Sequence, residues 1–110
     1  PRLRAAVVAG CANNQLADER IHGPQLVERG IYYAPDFLIN AGGLINVYSE
    51  LHGYDREKAY AQAERIYDQT LDIFRYCAAQ GTHPQQAAIR IAEERIAQAR
   101  AAATPAPVVL

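Results

Sequence analysis

The chain has 110 residues, half of them hydrophobic and 21% charged, with a formal net charge of −1. This is ordinary globular composition with room for one small domain and a modest core. Lys and Arg are scattered, which argues against nucleic-acid binding and a polybasic membrane patch, and no apolar run approaches the roughly 20 residues of a membrane span.

The first predicted element is a strand in "LRAAVVAG" (3–10), a short apolar run ending in glycine. A second strand is predicted in "GIYYAP" (30–35), stopped by Pro35. Unbroken apolar runs of this length suit strands buried on both faces of a parallel sheet. The roughly twenty residues between them have the length of a crossover carrying a helix. Within it, "GPQLVERG" offers Pro24 at a first helical position and Gly30 just past the end.

The next segment, "APDFLINAGGLINVYSELHG" (34–53), reads like a buried helix but is interrupted by Asn40, Gly42 and Gly43. Glycine inside a helix costs about 1 kcal/mol relative to alanine, so two in a row need a reason. From Asp55, an N-cap, Ala59, Ala63, Ile66, Tyr67, Thr70, Leu71, Phe74, Cys77 and Ala78 recur at helical spacing and predict one buried stripe. Gly81 ends that helix, and Pro84 starts another running to about Ala102, with Ala88, Ile89, Ala92, Ile96 and Ala99 facing inward. The division expected is residues 1–53 as the strand-bearing part, 54–102 as a helical extension and 103–110 as a disordered tail. Two strands alone make a poor sheet, so its remaining strands are expected upstream or in a partner chain. Pro1 in place of a starting Met, and no Met anywhere, read as a segment cut from something longer. No signal peptide is expected, because "PRLR" leads into only five apolar residues before Gly10.

Ligands of open parallel sheets bind beyond the carboxyl ends of the strands. Two segments are expected there: "AGCANNQ" (9–15) and "APDFLINAGG" (34–43). Both combine small residues, which admit close approach, with carboxamides that donate and accept without adding charge. The plainer readings stay open. Asn13 and Asn14 would serve equally as caps of the following helix, Asn40 as a satisfied buried polar residue, and Gly42 and Gly43 as points of close helix packing. The coincidence of two such clusters at the same end of neighbouring strands favours a bound cofactor.

Little else carries chemistry. His22, His52 and His83 lie apart and read as surface or capping residues, and Lys58, the single lysine, sits beside Asp55 and Glu57 at a helix start. Residues 93–100 read as a solvated helix face. Cys11 and Cys77 belong to no metal-binding pattern; unpaired, they fit a reducing cytoplasm, although sequence leaves a disulfide open. There is no GxGxxG, phosphate loop, Ser-His-Asp set or zinc spacing.

The motifs "VAGCANNQL", "RGIYYAPDFLINAGGLINVYSELHGYDRE" and "RIAEERI" resemble the C-terminal part of members of the glutamate/leucine/phenylalanine/valine dehydrogenase family, from about Leu3 to Arg100. The resemblance implies an α/β fold: the later half of a Rossmann-like parallel-sheet dinucleotide-binding domain followed by C-terminal helices. It also implies NAD-dependent oxidative deamination of a branched-chain L-amino acid to its 2-oxo acid and ammonia. A missing N-terminal substrate domain, a homo-oligomeric complete enzyme and a cytoplasmic location go with it. The residues carried over are Gly10, Cys11, Ala12, Asn13 and Asn40 for the cofactor, and Asn40, Gly42, Gly43, Leu44 and Val47 for the substrate. Glutamate-specific members have a serine for the distal carboxylate where Val47 stands here. With Leu44 one turn before it, that position would accept an aliphatic side chain and leave a buried carboxylate unpaired. Phenylalanine also stays open. Cys11 replaces an expected smaller residue such as alanine and makes the site a candidate for thiol sensitivity. The family's catalytic lysine and aspartate, and its glycine-rich turn, would lie upstream, so the chain alone should not turn over. The alternative is a truncated, non-catalytic nucleotide-binding or interaction module. A purely structural helical protein leaves both Asn-Gly clusters unexplained.

Overall fold

The structure, a computed structural model, describes residues 2–103. The predicted tail beyond residue 103 lies outside the described residues.

Two short strands, β1 (Val7–Val8) and β2 (Tyr32–Tyr33), pair in parallel with Val7 opposite Tyr32 and Val8 opposite Tyr33. Pairing and direction agree with the sequence reading; burial on both faces does not. Val7 and Tyr32, register partners that share one face, stand exposed, because among the described residues that face of the two-stranded sheet is only partly covered. Regular strand is accordingly confined to the two residues of each run that face a partner.

The crossover is helix α1 (Glu19–Glu28), whose N-cap is Asp18. Its carboxylate accepts from the amides of Arg20 and Ile21, while His22 Nδ1 accepts from the Asp18 amide. Pro24 is therefore not the first helical residue. It lies inside α1, because the cap that satisfies the first free amides sits a turn and a half earlier. The C-terminal end is as expected: the amides of Gly30 and Ile31 turn back to the carbonyls of Val27 and Leu26.

Residues 34–53 are two helices rather than one interrupted helix. Helix α2 (Asp36–Ile39) ends at Asn40, and α3 (Gly42–Leu51) begins with the glycine pair. Gly42 and Gly43 thus open a helix, where interior backbone entropy and hydrogen bonding are not at stake. Nor is α3 buried; it packs on the following helix along one side only, and none of its residues is buried.

Helix α4 (Arg56–Gln80) starts at the Asp55 cap and ends at Gly81; α5 (Pro84–Ala103) follows. At about 1.5 Å per residue α4 is roughly 37 Å long, and it changes partners along its length, from α3 to α2 and α5. No single stripe is buried throughout for that reason. Ile73, outside the predicted stripe, is at the centre of the core with Ala87 and Ala88 of α5, while Tyr67 and Ala78 are exposed. Leu38 of α2 and Tyr76, Cys77 and Ile91 close around that centre. The Tyr32 and Phe74 rings meet edge to face at 5.2 Å, fixing α4 against the sheet. Beyond Ile91 α5 leaves its neighbours, so Ala92, Ile96 and Ala99 face solvent rather than the core. The solvated face predicted for residues 93–100 is observed.

Candidate functional site

The loop after β1 and the segment after β2 come together at the carboxyl ends of the strands. Asn40, the residue that ends α2, makes the join. Its Nδ2 donates to Asn13 Oδ1 at 2.7 Å and to the Cys11 carbonyl at 3.3 Å. Cys11, Asn13 and Asn40, placed apart in sequence, form one constellation. Gly10 belongs to the same corner, where its carbonyl accepts from the Gln15 carboxamide. Among the described residues no hydrogen bond engages Asn40 Oδ1 or Asn13 Nδ2, so both carboxamide atoms can serve other partners.

Gly42 and Gly43 follow immediately. A Cβ built on either meets nothing within 4 Å, so open space lies over this stretch. The helix they begin has no side-chain cap. Leu44 and Val47, one turn apart on α3, are 73% and 56% exposed. The structure therefore puts the glycines next to the Asn13–Asn40 pair and leaves the Leu44–Val47 face uncovered. An open cleft of about 620 Å³ is lined by Asn13, Asn14, Asp18, Arg20, Asp36 and Phe37 among others. Asn40 and the glycines are not in its wall.

Two residues that sequence reasoning did not single out support this corner. Asp36, only 6% exposed, accepts from the Tyr33 hydroxyl at 3.0 Å and from the Asn14 amide at 2.9 Å. Tyr33 is 1% exposed; burial, then its hydrogen bond to Asp36, pushes its pKa up to about 12. Asn14 has φ 56°, among described residues the one non-glycine in the left-handed region, and so is not a simple helix cap. The "PD" after a strand was a usable signal, since an acidic residue there opens a helix.

The other titratable groups play separate parts. Lys58 pairs with Asp55 at 3.3 Å, and the Lys58 amide and side chain hold the Asp55 carboxyl below its ordinary range. His22 caps α1, and His52 ends α3 beside the Tyr48 ring, both as expected. His83 differs: it is half-buried over Gly23 of α1 with Nδ1 unpartnered, because α5 presses it against that helix. Both cysteines are free, Cys11 exposed and Cys77 partly buried. Among the described residues no His, Cys, Asp and Glu cluster fits a metal ion, and no helix is long and apolar enough to cross a membrane.

No family model matches the chain. It is similar to leucine dehydrogenase of Thermoactinomyces intermedius, with 54% identity over 99 residues, covering 90% of this chain and 27% of that protein. It is 52% identical over 101 residues to valine dehydrogenase of Streptomyces albus, covering 92% of this chain and 28% of that one. The crystal structure of L-tryptophan dehydrogenase from Nostoc punctiforme superposes with a TM-score of 0.83 at 51% identity, over 89% of this chain and 29% of that one. The chain thus spans little more than a quarter of the length of the curated relatives it matches. At about half identity over nine tenths of its own length, it belongs to the amino acid dehydrogenase family of the leucine, valine and tryptophan enzymes.

Proposed function

We propose that this chain is part of an NAD-dependent dehydrogenase that reversibly deaminates apolar L-amino acids, branched-chain ones first, to 2-oxo acids and ammonia. Residues 1–53 act as the later half of a Rossmann-like nucleotide-binding domain and 54–102 as helices that brace it. The observation that carries this reading is the Asn13–Asn40 pair, which draws both post-strand segments into one uncharged polar corner beside the open Gly42–Gly43 backbone. Such a corner fits the nicotinamide-ribose end of a dinucleotide, whose hydroxyls and carboxamide both donate and accept. When bound, the nicotinamide supplies a hydride acceptor.

In this reading Asn13 holds the ribose, with Gly10, Cys11 and Ala12 allowing the backbone to come close. Asn40 orients the ring end, and the glycines leave room for the amino acid. Leu44 and Val47 offer the side chain an apolar wall, where a glutamate carboxylate would lie unpaired at a cost of several kcal/mol. Leucine, valine and tryptophan are the amino acids named for the relatives, so the shared requirement is an apolar side chain. The catalytic acid–base groups, the substrate domain and the homo-oligomeric contacts belong to the rest of the complete enzyme, and the chain alone does not turn over.

The test is an assay of the intact protein that carries this chain, with NAD and L-leucine, L-valine, L-tryptophan or L-glutamate, followed by NADH absorbance. Turnover of the apolar amino acids with kcat/KM at least a hundredfold above glutamate is expected. A preference for glutamate, or no NADH with any of the four, overturns the reading.

A further inference from the structure

We infer that Asp36 is a positioning residue of the dinucleotide site, holding Asn13 in place through the backbone of Asn14. The inference rests on the reading of the Asn13–Asn40 corner given above and assigns the residue that builds it.

Asn13 is fixed on two sides. On one, its side chain meets Asn40. On the other, the next residue, Asn14, takes a left-handed backbone at φ 56°, a conformation that is unfavourable for any residue with a Cβ and least so for Asn. A specific bond holds that turn: the Asn14 amide donates to Asp36 Oδ2 at 2.9 Å. Left to itself, a loop residue with φ near +60° relaxes to the common regions.

Asp36 can act as an anchor because it is itself immobilised. It is the first residue of α2, follows the rigid Pro35, and is buried. Its other oxygen accepts from the Tyr33 hydroxyl at 3.0 Å, and Tyr33 stands on β2, paired to β1. The chain of support therefore runs from strand β2 through Tyr33 and Asp36 to Asn14, and ends at Asn13. Among the described residues the ion pairs Lys58–Asp55 and Arg75–Asp72 leave Asp36 aside, and its two oxygens are taken up by Tyr33 and Asn14.

The chemistry gives a conservative rescue. In Asp36→Asn the remaining oxygen still accepts from the Asn14 amide, and the new amine donates to Tyr33 Oη, so both bonds survive with one reversed. In Asp36→Ala both are lost.

The experiment titrates NADH into the intact protein by fluorescence and measures steady-state constants for wild type, Asp36→Ala and Asp36→Asn. In Asp36→Ala, the NADH Kd and the NAD KM should rise at least fivefold, while the amino acid KM moves less than twofold. Asp36→Asn should return both dinucleotide constants to within about twofold of wild type. If Asp36→Ala does not fold, Tyr33→Phe, which loosens the anchor without removing it, should raise the NADH Kd two- to threefold. A folded Asp36→Ala with an unchanged NADH Kd, an Asp36→Asn as impaired as Asp36→Ala, or a Tyr33→Phe with unchanged NADH Kd overturns the inference while wild-type binding upholds the site. Wild-type protein that binds no NADH overturns the site reading and the inference together.

Discussion

Asn40 is the residue on which the two post-strand segments converge, and its chemistry cannot be inverted without cost. Asn40→Asp would set carboxylate oxygens against Asn13 Oδ1 and the Cys11 carbonyl, two acceptors that now receive hydrogen bonds. Loss of two bonds at about 1 kcal/mol each, with added repulsion, predicts an NAD KM raised roughly tenfold or more in the intact protein. Steady-state kinetics would show it, and a KM unchanged by Asn40→Asp would count against the corner as a ligand site. The cysteines should differ in reactivity. Burial pushes the Cys77 thiol up from its ordinary pKa, whereas Cys11 is exposed beside Asn40. Peptide mass spectrometry after brief alkylation should find Cys11 labelled well before Cys77, with bound dinucleotide slowing the Cys11 reaction.

At the scale of elements, the junction of α1 and α5 is the most exacting contact. A Cβ on Gly23 would lie 2.4 Å from His83 Nδ1, so Gly23→Ala should cost about 1–3 kcal/mol, read as a lower denaturation midpoint. Burial lowers the pKa of His83 below 6.5, with Glu19 opposing. The unfolded state then binds the proton more tightly than the folded one. Stability is therefore full above about pH 6.5 and falls as the pH drops below it toward the folded value. Denaturant titrations between pH 7 and pH 5 should show that fall, and His83→Gln should flatten it. Element ends were the part of the sequence that could be read directly. Asp55, Gly81 and Pro84 act through their own backbone and the next turn, and each is where its chemistry puts it. Gly81 has φ 63°, so Gly81→Ala should cost roughly 1 kcal/mol. Pro24 was misplaced because Asp18, also a capping residue, competes for the same helix start.

For the whole molecule, extents of 63 × 36 × 23 Å and a radius of gyration of 17.1 Å describe an elongated body. A compact chain of this length would have a radius near 13 Å. Leu44, Val47, Tyr48 and Leu51 leave one side of α3 apolar and open, and the sheet has two edges. The 110-residue chain expressed alone should therefore melt over a broad range and bind a hydrophobic dye before heating. The intact protein should do neither; calorimetry and dye fluorescence compare the two. The parallel pair and the two Asn clusters could be read from sequence, since runs and motifs are local. The Tyr33–Asp36–Asn14 support could not, because Asn14 and Asp36 are 22 residues apart and meet only once the crossover has folded. Burial of strands and helices was over-read for the opposite reason: apolar runs announce a need for cover without saying that this stretch of chain provides it.

The hydrogen bonds that tie residues 9–15 to residues 34–43 also bear on crystals. Ordering a side chain on binding costs about 0.5–1.5 kcal/mol, and here bonds within the protein already tie Asn40 to Asn13 and Cys11, and the Asn14 amide to Asp36. Crystals of the intact protein grown without ligand should therefore take up dinucleotide by soaking, with both segments unmoved in the resulting density.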